Sequence, residues 1–478
     1  MKVLTKDELI CHLRLPIFDI ISEEADRLGQ ECYVIGGYVR DIFLERPSKD
    51  IDVVTVGSGI ALAEAVARRL GRRGTHLSVF RNFGTAQVKH KGMEVEFVGA
   101  RRESYSHDSR KPVVEDGTLA DDQNRRDLTI NALALCLNRE RFGELVDPFD
   151  GIGDLGRGIV RTPCDPDITF SDDPLRMLRA IRFACRFGFK IEASTFEAIA
   201  CNRDRIKIIS GERIAEELNK IMSCEHPSVG WMHLQRCGLL QIILPELQAL
   251  AGIETRDGRG HKDNFMHTLT VLDNVAAASD KLWLRWAAVM HDLGKAKVKA
   301  YDERLGWTFH NHDYVGSRMV TPIFRRLKLP LGVDEAQYVA KMVLLHMRPI
   351  NLTDDGITDS AVRRLMFEAG DDIDDLMTLC EADITSRNPE KVRRYLDNFK
   401  VVRQKFAELK EKDWRRILQP VVDGNEIMQR YGLTPSPIVG DLKKPLKDAI
   451  LDNILPNDRE SNLRFLDERA RELGILKE

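Results

Sequence analysis

No stretch of this chain approaches the roughly 20 consecutive apolar residues that span a bilayer, so no transmembrane helix is expected. The opening MKVLTKDELICHLRLP is charged and holds no apolar core of signal-peptide length, which points to a cytoplasmic protein. CxxC pairs are absent too. The nine cysteines stand singly, which argues against a disulfide framework or a cysteine zinc site and for free, mostly buried thiols in a reducing compartment. Excess charge of either sign is missing, since 72 Lys and Arg against 75 Asp and Glu leave a net charge of −3. A nucleic-acid partner would therefore have to be held by clustered arginines rather than by a field from the whole chain. What remains is an ordinary composition, 43% hydrophobic over 478 residues, enough for several cores.

The stretch Cys32 to Val56, CYVIGGYVRDIFLERPSKDIDVVTV, reads as strand, glycine turn, helix, strand. Side chains alternate along a strand, so Asp50 and Asp52 share one face while Ile51 and Val53 enter a core. Two carboxylates on one face suit a magnesium ion. The N–H groups of Gly36 and Gly37 beside a helix start suit a triphosphate, and Arg40 can add a charged hydrogen bond. Taken singly, GG is usually a turn and DxD a solvated strand end; the two together within seventeen residues are much rarer.

GGYVRD followed by DID resembles the signature of the tRNA nucleotidyltransferase and bacterial poly(A) polymerase superfamily. The runs His76–Phe80, Thr85–His90 and Glu94–Val98, with a hairpin signal at Lys91-Gly92, extend an α+β head with a small mixed sheet. Glu94 and Glu96 share a face of the last strand, and either can complete a carboxylate triad with Asp50 and Asp52. The resemblance favours Glu96, because EFVGAR occupies the place where the family carries its carboxylate. Residues up to about 30 are expected to form one amphipathic helix, and the polar stretch 101–124 a surface loop. In RRDLTINALAL, Asp127 is expected to cap a helix. By resemblance Arg126, Asp127 and Asn131 hold nucleotide phosphates and ribose hydroxyls, with Arg125 a further candidate.

A glycine-rich connector, GIGDLGRGIVRTP, closes the head, and Ser171-Asp172-Asp173-Pro174 carries the signals of a helix start. Asp173 and Arg176, three apart, lie on one helix face. An aspartate accepts from the exocyclic amine of cytosine or adenine and an arginine donates to the adjacent ring nitrogen, so the pair can read a base edge; the alternative is a surface ion pair. DDPLRMLRAIRFACRFGF resembles the family's template helix, with Asp172 where glutamate is usual. Arg179, Arg182 and Arg186 continue a basic, partly exposed stripe toward triphosphate or RNA, or, for Arg182 and Arg186, a solvated helix face. GERIAEELNKIM resembles the motif that braces this helix.

Six of the twelve histidines lie between His261 and His346. His267, His291, Asp292 and Asp383 resemble the ligand set of the HD phosphohydrolases, His312 and His346 can complete a second metal site, and Lys295 can face a phosphate. Imidazole and carboxylate donors suit Ni²⁺, Mn²⁺, Fe²⁺, Co²⁺ or Mg²⁺. A degenerate HD domain serving as a helical RNA platform is the alternative. The last part, with Lys443, Lys444 and Lys447, resembles the tRNA-holding tail of tRNA nucleotidyltransferases.

Together these features resemble those of the class II CCA-adding tRNA nucleotidyltransferases. The resemblance implies a catalytic head over residues 1–150, an all-α neck over 151–249, an HD domain over 250–390 and a helical tail over 391–478. It implies Mg²⁺ at Asp50 and Asp52, with Glu96 assisting, and tRNA, CTP and ATP as partners. The HD domain would add phosphohydrolase activity on 2′,3′-cyclic or terminal phosphates. A poly(A) polymerase, a CC-only or A-only enzyme and a non-enzymatic RNA-binding scaffold are the rival readings.

Overall fold

The computed structural model describes residues 4–48, 50–104, 113–330, 332–352, 359–386, 388–412, 420–452 and 454–476. The chain forms two compact units, Met1–Pro245 and Glu246–Glu478. The first opens with two helices, Lys6–His12 and Pro16–Leu28, where one was expected. Pro16 has no N–H to continue the first helix but suits the first turn of the second.

A sheet follows, with strands β1 (Cys32–Ile35), β2 (Asp50–Thr55), β3 (Thr75–Phe80), β4 (Thr85–His90) and β5 (Met93–Gly99). The pair β6 (Arg101–Ser104) and β7 (Val113–Asp116) stands apart from it, and β8 (Ala134–Cys136) and β9 (Leu145–Val146) complete it. Its order is β3-β4-β5-β2-β1-β8-β9, parallel at β2–β5 and antiparallel elsewhere. β1 is buried at every position, as a central strand must be when both sheet faces are covered. Lys91 and Gly92 both take positive φ, 46° and 83°, which fits the two-residue turn joining β4 to β5.

Five local expectations are corrected. The stretch 101–124 is not a plain loop: β6 pairs with β7, and Thr118 and Asp121 form a capping box that starts a helix over Leu119–Asn124. Residues 105–112 of that stretch lie outside the described residues. Asp127 caps no helix; a 3₁₀ turn, Thr129–Asn131, leads into β8, because the apolar run around Leu133–Leu137 is buried beside β1. Ser171 and Asp172 end one helix, Pro166–Asp172, and the next begins at Leu175, with Asp173 Oδ1 accepting from the Leu175 N–H at 3.2 Å. The glycine-rich connector is itself helical over Gly151–Arg157, and a short parallel pair, Ile159–Val160 with Lys190–Ile191, breaks the all-α pattern expected there.

The second unit is mainly helical, with its main elements at Asn264–Ala278, Leu282–Met290, His312–Leu327, Val333–Leu345 and Ile373–Ala382. Two short hairpins, Thr255–Arg256 with Arg259–Gly260 and Ala300–Asp302 with Gly306–Thr308, depart from the all-α pattern expected there. Its last helices, Gly424–Tyr431, Pro437–Leu451 and Arg459–Glu472, enclose a core of Val422, Ile427, Leu442, Leu446, Ile450, Leu466 and Ala470. Lys443 and Lys444 are exposed there, whereas Lys447 Nζ sits 3.5 Å from the centroid of Phe367.

Candidate functional site

The parallel register of β2 and β5 sets Asp50 beside Glu94 and Asp52 beside Glu96, so four carboxylates occupy one face. Glu94 is bonded to Gln87 and lies 3.0 Å from Lys89. Glu96 instead interacts with Asp52, and its carboxyl is raised above the usual range by burial and by that neighbour. Asp52 is raised as well, by burial first and by Asp50, with Arg126 opposing. Clustered carboxylates that resist ionising together are a natural oxygen donor set for a hard divalent cation such as Mg²⁺.

Gly36 borders this face at φ 80°, ψ −127°, a conformation that favours glycine, and a Cβ there would lie 2.9 Å from Arg126 Nη1 and 3.7 Å from Asp52 Oδ2. Gly37 takes no such φ, and its nearest neighbour would be Arg40 Nη2 at 3.5 Å. Arg126 donates to the Asn131 carbonyl at 3.2 Å and, through Nε, to Asp122 at 3.1 Å. Asp122 is fully buried and also bonds Arg125. This aspartate escaped the sequence reading, although its place four residues before Arg126 on a helical stretch was the available signal.

Arg40 was expected to reach a triphosphate. Instead its guanidinium is buried, donating to Asp41 Oδ1 at 2.9 Å and to Asn131 Oδ1 at 2.6 Å, and it lies 5.1 Å from the ring centroids of both Phe183 and Phe187. Asn131 Nδ2 donates to Asp127 Oδ1 at 3.0 Å, and Asp127 Oδ2 accepts from Arg179 Nε at 2.6 Å. Burial alone would raise the Asp127 carboxyl, but Arg179 and the Asn131 hydrogen bond hold it at about 2.

On the helix Leu175–Phe187, Arg179 is partly exposed and Arg186 exposed, but Arg182 is buried and pairs with Glu217 at 3.1 Å. The expected basic stripe is thus interrupted, because Arg182 faces the bracing helix Gly211–Met222. Arg176 is buried and donates to the Thr169 carbonyl at 3.3 Å, and Arg213 lies 3.5 Å from Asp173 Oδ2.

In the second unit the histidine and aspartate ligands converge. His267, His291 and Asp292 offer ligand atoms within 4.8 Å of one another, and so do Asp292, His312 and His346. Asp292 belongs to both groups. Asp383 Oδ1 lies 2.8 Å from His267 Nε2 and 3.6 Å from His291 Nε2. Nδ1 of His291, His312 and His346 faces the carbonyls of Ala288, Phe309 and Val343 at 2.7, 2.9 and 2.6 Å, and Nδ1 of His267 faces Thr385 Oγ1 at 2.7 Å. These partners turn each Nε2 inward, the orientation a metal-ligating histidine needs. Among the described residues His291 Nε2 and Asp292 Oδ1 are buried with no hydrogen-bond partner, so the donor set fits a cation. Burial disfavours charge on His291, yet Asp292 prevails and pushes it up to about 10. Lys295 Nζ reaches Asp292 Oδ2 at 2.6 Å, while His310 is exposed.

Comparison with known proteins agrees with this geometry. A family described as Poly A polymerase head domain matches residues 32–161, one described as Probable RNA and SrmB- binding site of polymerase A matches 188–250, and HD domain matches 264–388. A Multifunctional CCA protein of Shewanella frigidimarina is 32% identical over 370 residues, 75% of this chain and 84% of that protein. An A-adding tRNA nucleotidyltransferase of Deinococcus radiodurans is 33% identical over 341 residues, 69% of this chain and 75% of that one. Among solved structures, a CCA-adding enzyme in complex with CTP superposes with a TM-score of 0.64 at 21% identity over 99% of this chain and 100% of that one. The Thermotoga maritima CCA-adding enzyme complexed with tRNA gives 0.61 at 21% identity over 99% and 100%. At these identities the structural likeness speaks for the fold.

Proposed function

Since the chain belongs to the tRNA nucleotidyltransferase family of the multifunctional CCA proteins, we propose that it adds CCA to the 3′ end of tRNA from CTP and ATP, releasing pyrophosphate. The observation that carries this is that Asp50 and Asp52 on β2 and Glu96 on β5 share one sheet face beside Gly36 and Arg126. Asp50 and Asp52 would hold Mg²⁺, which would supply charge neutralisation at the triphosphate and Lewis acidity to the terminal hydroxyl. Glu96, with its raised carboxyl, accepts the proton of that hydroxyl. Arg126, aligned by Asp122, faces the developing charge on the phosphates. Asp173 and Arg176 present the acceptor and donor that select cytosine and adenine edges. The test is incorporation of each labelled nucleotide alone into tRNA transcripts ending before, within and after CCA. CTP incorporation followed by ATP supports complete addition; ATP alone on a transcript ending in CC assigns an A-adding enzyme, and repeated ATP addition a poly(A) polymerase.

A second activity is favoured by Asp292, which is shared between two ligand groups. We infer that the HD centre hydrolyses 2′,3′-cyclic or terminal phosphates at RNA ends. His267, His291, Asp292 and Asp383, with His312 and His346, would hold divalent cations that supply Lewis acidity to the ester. Lys295 holds the phosphate, and the outcome is a 3′ hydroxyl that the head can extend. Asp292→Ala should abolish release of phosphate or opening of the cyclic ester and spare nucleotide addition. Wild-type protein inert with each of Ni²⁺, Mn²⁺, Fe²⁺, Co²⁺ and Mg²⁺ would make the domain a platform.

A further inference from the structure

Next to the Asp292 centre, two short hairpins carry an aromatic cluster that the chemistry above does not use. They pair Thr255–Arg256 with Arg259–Gly260 and Ala300–Asp302 with Gly306–Thr308. His261 stands edge-on to Trp307 at 5.5 Å and to Phe309 at 6.1 Å, and Tyr301 edge-on to Trp307 at 5.2 Å. A cation covers each of three rings: Arg256 over Tyr301 at 4.7 Å, Lys299 over Trp307 at 4.5 Å and Lys295 over Phe309 at 5.8 Å. Trp307 and Tyr301 are pinned by their polar ends, Nε1 donating to the Arg259 carbonyl at 3.1 Å and the hydroxyl to the Arg256 carbonyl at 3.3 Å.

Phe309 carries no such polar end, and two contacts tie it to the centre. Lys295 Nζ, which lies over its ring, is 2.6 Å from Asp292 Oδ2. Its backbone carbonyl faces His312 Nδ1 at 2.9 Å. A half-buried aromatic face therefore sits one side chain away from the group that would hold a phosphate.

We propose that Phe309 stacks on the base of a nucleotide whose phosphate ester lies at Lys295 and Asp292, which makes the centre a site for nucleoside phosphates rather than for phosphate esters at large. This rests on the phosphohydrolase reading of that centre. Stacking accepts every base, because each has a π-face, and its loss weakens binding roughly five- to hundred-fold. A free nucleotide and the last nucleotide of an RNA share this chemistry.

The test compares 2′,3′-cyclic AMP with glycerol 1,2-cyclic phosphate, an ester without a base, on the full chain. Phe309→Leu keeps the backbone carbonyl and should raise KM for the nucleotide about ten-fold on the scale of one lost base stack, with kcat within about two-fold. It should leave the base-free ester and nucleotide addition to tRNA unchanged, and Phe309→Trp should restore the nucleotide KM. An equal effect on both esters, or none on either, overturns the proposal. If the wild-type chain hydrolyses neither, the phosphohydrolase reading fails, and stacking is decided by equilibrium dialysis of labelled adenosine 3′-monophosphate with the head filled by CTP. A Kd at least about five-fold weaker in Phe309→Leu then supports Phe309 as the base platform, and an equal Kd removes it. A lower KM for an oligonucleotide ending in the cyclic phosphate assigns RNA ends as the source; an equal KM assigns the free nucleotide.

Discussion

Asp52 and Glu96 are direct partners across the parallel strands β2 and β5, while Glu94, two residues earlier on the same face, is held by Lys89 and Gln87. Removing a cation ligand of a transfer reaction costs several kcal/mol of barrier, so Asp52→Asn should lower nucleotide incorporation by about 10³-fold. Glu96→Gln should lower kcat with little change in KM. Glu94→Gln gives up an exposed ion pair and should cost less than about 1 kcal/mol of stability, with incorporation intact. Incorporation and denaturant unfolding of the three variants check this; equal loss in Glu94→Gln and Glu96→Gln would reject the choice of Glu96.

Arg176→Gln should narrow the preference for CTP and ATP over UTP and GTP by about ten-fold, the scale of one lost bidentate base contact. Arg176 also bonds the Thr169 carbonyl, so the melting temperature is measured alongside. Unchanged selectivity in a folded variant would leave Arg176 a structural residue.

Arg182 and Glu217 form a buried pair. Glu217→Leu alone strands the Arg182 charge and should destabilise by about 3–5 kcal/mol, Arg182→Met should cost less because Lys220 still lies 3.4 Å from Glu217, and the double variant should recover most of the larger loss. A double-mutant cycle by urea unfolding measures the coupling. Additive losses would show that the two do not brace each other.

Asp127 ionises at about 2 in the folded chain against an ordinary 3.8. The unfolded chain therefore takes up this proton at higher pH than the folded one, and the carboxylate contributes about 2 kcal/mol that is present in full above about pH 5 and lost as pH falls toward 2. Asp127→Asn should be less stable at neutral pH and flatter with pH across that window. Parallel acid profiles in the two proteins would contradict the assignment.

Much of this was legible in the sequence because period and spacing are local properties. The alternation of DIDVV put two carboxylates on one face, and the apolar runs located the strands. The histidines and aspartates that cluster around Asp292 were picked out through their motif, since MHDLGK places a pair at a helix end. What escaped depends on partners far along the chain. Arg40 reads as a free cation until Phe183 and Phe187 close over it, and nothing near Arg182 announces Glu217. Asp173 has every sign of an early helical residue, but the turns before it are already helical, so it ends the helix Pro166–Asp172 as its C-terminal cap residue while its carboxylate accepts from the Leu175 N–H.

The Arg40 guanidinium joins the glycine turn of the sheet to the helix Leu175–Phe187, through Asp41 and Asn131 by hydrogen bonds and through the neighbouring rings of Phe183 and Phe187. The glycine turn and this helix are consequently not separable cassettes. A chimaera that imports the Leu175–Phe187 segment from a relative of different nucleotide preference should fail unless residues 36–41 and 127–131 travel with it, because the foreign segment would leave Arg40 without its lining.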